Sequence, residues 1–400
     1  MHRALKWIGG FFAAVVVVVL VLTVFGGFRL KDPQGNIAFG WDSARHRFQI
    51  MEKPRLMLEG PHVFPAADGY QVIATEPSGE DWRLSKVHLP PHPLPVLTVR
   101  VDNPGKTRFD VAVRAASVPA KAMYEQNPSR LLLLSDMEGQ FDKFVSLLRS
   151  QAVIDEQLHW RYGDGHVALV GDFVDRGEDM TPLLWLIYRL EDEASQAGGR
   201  VHYVLGNHEQ LAMSGKKKYW PRRLIATAEA LGEDGDELMF SDKSVLGAWL
   251  RSKPVMVRLG DHLLVHGGVS QAFLAENLDI EATNELARGY LGHELEGLPP
   301  RLEPILGRNG LTWYRGMAML GDKKYALEAD PLAHLQDVVD SFGVKRVAIA
   351  HTTVPDIVLE QQGMLLRLDV HHAEQTPQAA LYEDGKLWRV DANGGRWALD

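Results

Sequence analysis

A series of short apolar runs, each ending in polar side chains, constrains the fold of this chain more than any other feature. "RLLLLS" leads to Asp136 and Glu138, "HVALVG" leads to Asp172, and "RVHYVLG" leads to Asn207. Runs of this length predict buried strands, and the amphipathic stretches between them predict helices. The alternation of strand and helix predicts parallel pairing with right-handed crossover connections.

The polar side chains at the ends of these runs are expected to form one site. In open α/β sheets, ligands bind outside the carboxyl ends of the strands. Two later runs, "HLLVHGG" and "VAIAHTT", repeat the pattern with His266 and His351. Either histidine alone would be read as a core residue, but two at corresponding positions favour a shared site.

The expected site combines carboxylate, amide and imidazole groups: Asp136, Glu138, Asp172, Asn207, His266 and His351. Oxygen and nitrogen ligands of this kind suit divalent ions of intermediate hardness, such as manganese, iron or zinc. Six ligands exceed the needs of one tetrahedral site, so we predict two divalent metal ions about 3.5–4 Å apart. A bridging water would become hydroxide near neutral pH and attack a phosphoryl group in line.

The motifs "GDFVDRG", "GNHE", "VHGG" and "AHT", in this order, resemble the calcineurin-like metallophosphoesterases. "LGAWLRSKP" and "LTWYRG" are similar to the bacterial Shewanella-like branch of phosphoprotein phosphatases within that group. The resemblance spans roughly residues 130–372. It implies an α/β fold, a metallophosphoesterase-type β-sandwich flanked by helices, and a dinuclear metal centre that hydrolyses phosphoric esters.

The resemblance also implies a role for each matched residue. Asp136 and Glu138 would bind the first ion, and Asp172 would bridge both ions. The second ion would be bound by Asn207, His266 and His351. His208 would be the general acid that protonates the leaving oxygen, and Asp175 would orient it. Arg176 and Arg315 would clamp the phosphate oxygens. Asp175 and Arg176 could instead form only an ion pair within the loop.

The chain departs from the family pattern at Glu138, where the family has histidine. Glu138 could replace the imidazole as an oxygen ligand, which would favour Mn²⁺, Mg²⁺ or iron over Zn²⁺. It could instead stay away from the metal and leave one weak site, or the enzyme could have lost catalysis. We expect the first, with Mn²⁺ as the metal, because every other matched position is intact, including His208 and the arginines.

Two further clusters are less informative. The lysine run at 216–218 lies beside other basic residues and is typical of a solvated helix face, so we leave it out of the site. His371 and His372 follow the run "LLRLDV", and nothing in the sequence decides whether they reach the site.

The N-terminal segment predicts a membrane anchor. Arg3 and Lys6 precede an uncharged stretch from Trp7 to Phe28, which is about the length that crosses a bilayer core. We expect an uncleaved, single-pass signal anchor at residues 1–30, rather than a cleaved signal peptide. The catalytic domain would then lie outside the inner or cell membrane, in the periplasm or extracellular space.

The rest of the chain is expected to form two parts. Residues 31–125 would be a β-rich module or spacer, with a hairpin at Asp102–Gly105 where alternating apolar residues flank a turn. Residues 126–400 would be the catalytic metallophosphoesterase domain.

Composition narrows the function. The net charge of -9 argues against a nucleic-acid partner, and the absence of cysteine excludes disulfides, thiol chemistry and cysteine–zinc sites. The sequence therefore predicts a membrane-anchored metallophosphatase that hydrolyses phosphomonoesters of proteins, on serine, threonine or tyrosine, or of small molecules. Two alternatives stay open: hydrolysis of a pyrophosphate bond in a nucleotide or lipid precursor, and a non-catalytic metal-binding envelope protein.

Overall fold

The computed structural model describes residues 54–322, 324–326 and 328–399, together with the backbone of three strands before residue 53. The chain divides into two compact units, at residues 55 and 56. In the first unit, three antiparallel strands pair in chain order: β1 (Phe28–Lys31), β2 (Ile37–Asp42) and β3 (Arg47–Glu52).

The predicted membrane anchor at residues 1–30 lies outside the described residues, apart from the residues that begin β1. None of the helices that the structure describes is both long enough and apolar enough to cross a membrane. The anchor therefore stays a prediction.

The second unit begins with two small antiparallel sheets. Their strands are β4 (His62–Ala66), β5 (Gly69–Ser78) and β6 (Asp81–Leu89) in one, and β7 (Val96–Arg100) and β8 (Arg108–Ala112) in the other. Strands β7 and β8 form the predicted hairpin, and their alternate residues are buried because one face packs on the core.

These small sheets pack into the same core as the downstream residues. Val63, Val99 and Phe109 belong to one hydrophobic cluster with the leucines of the "RLLLL" run. The indole Nε1 of Trp185 donates a hydrogen bond of 2.8 Å to the carbonyl of Pro61. Residues from 56 onward therefore form one compact unit with the downstream chain. The predicted boundary at residue 125 rests on a change in the sequence pattern, and it stays a prediction.

The remaining elements build two larger sheets and their helices. The strands are β9 (Met123–Tyr124), β10 (Arg130–Leu134), β11 (His166–Val170), β12 (Arg200–Val204), β13 (Met256–Leu259), β14 (His262–Val265), β15 (Arg346–Ile349), β16 (Val358–Glu360), β17 (Leu365–Arg367), β18 (Gln378–Glu383), β19 (Lys386–Asp391) and β20 (Arg396–Ala398). The helices are α1 (Phe141–Ser150), α2 (Met180–Gln196), α3 (Asn207–Met213), α4 (Arg222–Leu231), α5 (Gly235–Met239), α6 (Val245–Arg251), α7 (Gln271–Ala275), α8 (Ile280–Arg288), α9 (Glu303–Leu306) and α10 (Pro331–Phe342), with 3₁₀ turns at Lys217–Tyr219 and Gln361–Gly363.

Two six-stranded sheets carry the fold. Their strand orders are β12-β11-β10-β18-β19-β20 and β16-β17-β15-β14-β13-β9. Strands β10, β11 and β12 run parallel in the first sheet, as predicted, and β14, β15 and β17 run parallel in the second. Residues of both sheets share one hydrophobic core. The predicted α/β class, with sheets and flanking helices, is confirmed.

The "LGAWLRSKP" motif is structural. Trp249 donates a hydrogen bond of 2.7 Å to Oε2 of Glu191, and the ammonium of Lys253 lies 2.5 Å from Oε1. Arg114, just after β8, pairs with the same carboxylate at 2.9 Å. Because Glu191 lies on α2, this partly buried charge cluster joins the motif, the helix and the preceding β structure.

Candidate metal centre

The loops that follow the central strands hold the candidate site in an unusual backbone conformation. Asp136, Asp172 and His351 have φ angles of 51°, 59° and 64°. Residues other than glycine adopt this left-handed backbone conformation at a cost of about 1–3 kcal/mol, and such residues concentrate at functional sites. The amide of Asp136 donates to the carbonyl of Gly171 at 2.9 Å, so the loops after β10 and β11 support each other directly.

Glycine is required where these loops meet. A Cβ atom at Gly206 would collide with Oδ1 of Asp172, and one at Gly171 would lie 2.5 Å from Nδ1 of His266. The glycines that open "GDFVDRG" and "GNHE" therefore permit the backbone to approach the ligand side chains.

Glu209 holds the same loops together by hydrogen bonds. This residue was not identified from the sequence. Its buried carboxylate accepts hydrogen bonds from the amides of Asp172, Phe173 and Gly206 and from the Tyr203 hydroxyl, at 2.7–2.9 Å. The sequence signal for Glu209 is its place as the last residue of "GNHE". A carboxylate buried at this position needs several hydrogen-bond donors around it. Glu209 thereby fixes the position of Asp172.

The predicted ligands of the second ion come together. Ligand atoms of Asp172, His266 and His351 all lie within 4.8 Å of one another. Nε2 of His266 lies 3.0 Å from Oδ2 of Asp172 and 3.1 Å from Oδ1 of Asn207. Nδ1 of His266 donates to the carbonyl of Val170 at 2.8 Å, so Nε2 is the nitrogen that could bind a metal ion.

His351 has the protonation that a metal ligand needs. Burial lowers the pKa of His351 well below its ordinary value, and nearby His266 and Arg315 lower it further. Its Nε2 is buried, without a hydrogen-bond partner, in a side chain that lines the cavity of the site. A neutral imidazole with an unpartnered nitrogen is the form that binds a divalent ion.

The predicted ligands of the first ion lie on the adjoining wall. Ligand atoms of Glu138, Asp172 and His208 form a second group within 4.8 Å, so Asp172 belongs to both groups. Oδ2 of Asp136 is buried without a hydrogen-bond partner. Burial raises the pKa of Asp136, and the charge of Asp369 raises it further. The unpartnered oxygen of Asp136 and the carboxylate of Glu138 would fit a divalent cation, and Asp172 is the residue that both groups share.

The predicted general acid has its predicted partner. Nδ1 of His208 lies 2.6 Å from Oδ2 of Asp175, and both side chains are buried. Burial opposes the charged form of His208, but the carboxylates of Asp172 and Asp175 outweigh burial and raise its pKa. Burial raises the pKa of Asp175 to about 6. The ring of Tyr219 packs edge-on against His208 with centroids 5.0 Å apart.

Both predicted arginines line the cavity, and both have partners. Arg176 forms an ion pair with Glu138, and its guanidinium lies 5.6 Å from the ring centroid of Tyr219. Nη1 of Arg315 donates to the carbonyl of His351 at 2.6 Å and to the Thr352 hydroxyl at 3.0 Å. Arg176 therefore pairs with Glu138 of the loop after β10, and not with its neighbour Asp175.

The cavity at the sheet ends has a volume of about 370 Å³. Its lining includes the predicted residues Asp136, Glu138, Asp172, Arg176, Asn207, His208, Arg315 and His351, and adds Tyr219, Trp313, Thr353, Asp369, Val370 and His371. Buried His266 stands behind this wall. His371 reaches the cavity, whereas His372 is fully buried and is not part of the lining. The lysines at 216–218 are not among the lining residues either.

Asp369 is the most informative residue that the sequence reasoning missed. It follows β17, as His351 follows β15 and His266 follows β14. The rule that located the predicted ligands, a polar group after an apolar run, applies to Asp369 as well. Its run is short and contains Arg367, and the two histidines that follow it are the more conspicuous polar residues.

Comparisons with known proteins show which family the chain matches. The family described as Calcineurin-like phosphoesterase matches residues 129–355. Shewanella-like protein phosphatase 2 of Arabidopsis thaliana is 24% identical over 272 residues, 57% of this chain and 67% of the relative. A symmetrical bis(5'-nucleosyl)-tetraphosphatase of Chromobacterium violaceum is 28% identical to this chain. The match covers 42% of this chain and 56% of that relative.

One solved structure is similar over most of the chain. The cold-active protein-tyrosine phosphatase of a psychrophilic Shewanella species has a TM-score of 0.73 and 25% sequence identity. The match covers 86% of this chain and 100% of that chain.

Proposed function

The chain belongs to the calcineurin-like phosphoesterase family and is a metallophosphatase, and from this premise we propose that it hydrolyses phosphomonoesters on proteins, phosphotyrosine among them. Its relatives include proteins named as protein phosphatases, and its structural neighbour is named as a protein-tyrosine phosphatase.

The position of Asp172 carries the proposal. Its carboxylate belongs to both groups of potential ligand atoms, and it is buried where loops from both large sheets meet. A carboxylate shared in this way suits a bridge between two divalent ions. Two such ions, when bound, neutralise the charge of a phosphoryl group and activate a water molecule for attack on phosphorus.

His208 would supply the proton for the leaving group. Its Nδ1 is held by Asp175, so Nε2 is the nitrogen that can donate to the ester oxygen. The raised pKa keeps the imidazole protonated to a higher pH than that of an ordinary histidine. Arg176 and Arg315 stand on the cavity wall, where guanidinium groups orient phosphate oxygens.

A second activity has specific support. The similarity to a symmetrical bis(5'-nucleosyl)-tetraphosphatase is consistent with cleavage of a pyrophosphate bond. We rank it lower because "GDFVDRG" and "GNHE" are more typical of phosphoprotein phosphatases. A non-catalytic metal-binding protein is disfavoured by the intact pair of His208 and Asp175.

The proposed metal is Mn²⁺, with iron or zinc as alternatives, and the proposed location is a cell membrane with the catalytic unit outside the cytoplasm. The uncharged segment from residue 7 to residue 28 supports the location. A reporter enzyme that is active only outside the cytoplasm, fused to the C-terminus, tests it. Activity of a cytoplasm-only reporter would contradict it.

The activity test uses the full chain, purified in detergent and loaded with Mn²⁺. A phosphotyrosine peptide, a phosphoserine peptide, p-nitrophenyl phosphate and diadenosine tetraphosphate are compared, with His208→Ala as control. We expect turnover of the phosphomonoesters and a loss of about 10²–10⁴-fold in the control. Turnover of the tetraphosphate alone would establish the second activity, and no turnover above the control would refute catalysis.

A further inference from the structure

Asp369 faces the candidate site from the second sheet. Its side chain is 6% exposed and lines the cavity, close behind the end of β17. Oδ2 accepts a hydrogen bond of 3.1 Å from the hydroxyl of Thr353. Its backbone carbonyl accepts from the amide of Val354 at 2.8 Å, so the residue is held against the loop that carries His351.

Asp136 lines the same cavity and is equally shielded from water. Asp136 is 7% exposed, and its Oδ2 is buried without a hydrogen-bond partner. Within the part of the chain that the structure describes, neither Asp136 nor Asp369 forms an ion pair with lysine, arginine or histidine. Removing one carboxylate from water costs several kcal/mol unless a cation compensates. Asp136 and Asp369 therefore form a pair of shielded carboxylates that a bound cation would stabilise.

Glu138 does not by itself complete the ligand set of the first metal site. Glu138 is within reach of Asp172 and His208, but its carboxylate is also engaged by Arg176. A carboxylate shared with a guanidinium gives less charge to a metal than a free one. The first site therefore has an incomplete ligand set if it is limited to the residues that follow β10 and β11.

We infer that Asp369 is a ligand of the first metal ion and completes an all-oxygen site with Asp136, Asp172 and Glu138. This inference rests on the proposed dinuclear function but concerns metal binding alone. The two sites then differ in chemistry, because His266 and His351 belong to the second group, and His208, which lies within reach of the first, is the proposed proton donor and not a ligand. Oxygen-only sites select Mn²⁺ and Mg²⁺, whereas imidazole ligands also suit Zn²⁺.

The test measures metal binding of the full chain without reference to turnover. Metal-free protein is titrated with Mn²⁺, free Mn²⁺ is followed by electron paramagnetic resonance, and bound metal is counted after equilibrium dialysis. We expect two Mn²⁺ ions for the wild type. Asp369→Asn should keep one ion and weaken the other at least 10-fold. Asp337→Asn, an exposed acid on α10, is the matched control and should bind both normally.

A stability measurement separates a ligand from a structural residue. Asp369→Asn removes a buried charge from the metal-free protein and keeps an acceptor for Thr353, so its melting temperature without metal should equal or exceed that of the wild type. Its stabilisation by added Mn²⁺ should be smaller, because stabilisation follows affinity. A melting temperature lowered without metal, and a normal increase with it, would assign Asp369 a structural role and overturn the inference.

A third variant tests selectivity. Asp369→His should shift the first site towards Zn²⁺, seen as at least a 10-fold change in the ratio of Zn²⁺ to Mn²⁺ affinity. An unchanged ratio, two normal Mn²⁺ sites in Asp369→Asn, or fewer than two in the wild type would each refute the inference. Two sites with no phosphatase activity would instead refute the proposed function and leave the ligand assignment standing.

Discussion

The carboxylate of Asp175 lies 2.6 Å from Nδ1 of His208, and the two side chains are buried together beside Asp172. The contact joins the loop after β11 to the start of α3. It orients the imidazole, so that Nε2 is the nitrogen available for proton transfer, and it stabilises the protonated form. Position and protonation of the proposed general acid therefore depend on one contact.

Asp175→Asn is expected to lower kcat by about 10–100-fold and to move the alkaline limb of the kcat profile to lower pH. The active form is protonated His208, whose pKa is raised, so activity is present below that pKa and is lost as pH rises through it. Removing one of the raising carboxylates lowers the pKa. The kcat profile between pH 5 and about 10 measures this, and an unchanged limb would exclude Asp175 from the role.

Glu138→Ala is expected to weaken the first metal ion and to release Arg176, whereas Glu138→His should keep two ions and increase the preference for Zn²⁺. The reason is that a hard oxygen ligand is lost in the first variant and replaced by nitrogen in the second. Metal content after dialysis against mixed Mn²⁺ and Zn²⁺ provides the measurement. Equal content in the wild type and both variants would show that Glu138 is not a ligand.

Glu209→Gln is expected to destabilise the protein by about 1–3 kcal/mol, because an amide NH₂ would face buried donors that now have a carboxylate oxygen. Asp172 loses its support in the same step, so metal affinity should fall as well. Chemical unfolding with and without Mn²⁺ tests both effects. Wild-type stability and affinity would mean that the loops do not depend on Glu209.

Glu191→Gln is expected to cost about 3–5 kcal/mol at neutral pH, because Lys253 and Arg114 lose their buried counter-charge. Burial opposes the charged form of Glu191, but these two cations outweigh burial and hold its pKa below the ordinary value of 4.5. Its contribution is therefore fully present above about pH 4.5 and is lost as pH falls through the lowered pKa.

The pH dependence of unfolding checks the Glu191 prediction. The difference between wild type and Glu191→Gln should be constant above pH 4.5 and should shrink at lower pH. Glu285→Gln, an exposed acid on α8, is the control and should behave like the wild type. A difference that persists undiminished in acid would show that the charge of Glu191 is not what stabilises the cluster.

Much of the site could be predicted because its signals are local. A buried strand needs a short apolar run, and a polar group directly after it falls at the sheet edge where ligands bind. Asp136, Asp172, Asn207, His266 and His351 follow this rule and line or support one cavity. Asp369 follows it too, but its weaker run and the absence of a motif concealed it.

Other relationships had no local signal. Glu138 and Arg176 were assigned separate tasks, and their ion pair arises because two loops cross. Tyr219 lies in a 3₁₀ turn outside any recognised motif, yet its ring contacts both His208 and Arg176. Contacts of this kind depend on the relative placement of loops, which periodicity does not encode.

The sequence by itself determined the central parallel strands, the family and the residues that can bind metal, since apolar periodicity and short motifs report local chemistry. The tertiary structure alone decided which of these groups share one space. Asp136 and Asp369 follow strands of different sheets and share one space only because both sheets end at the same cavity. Two buried carboxylates that form no ion pair within the described residues are a property of that meeting, and a bound cation would stabilise both.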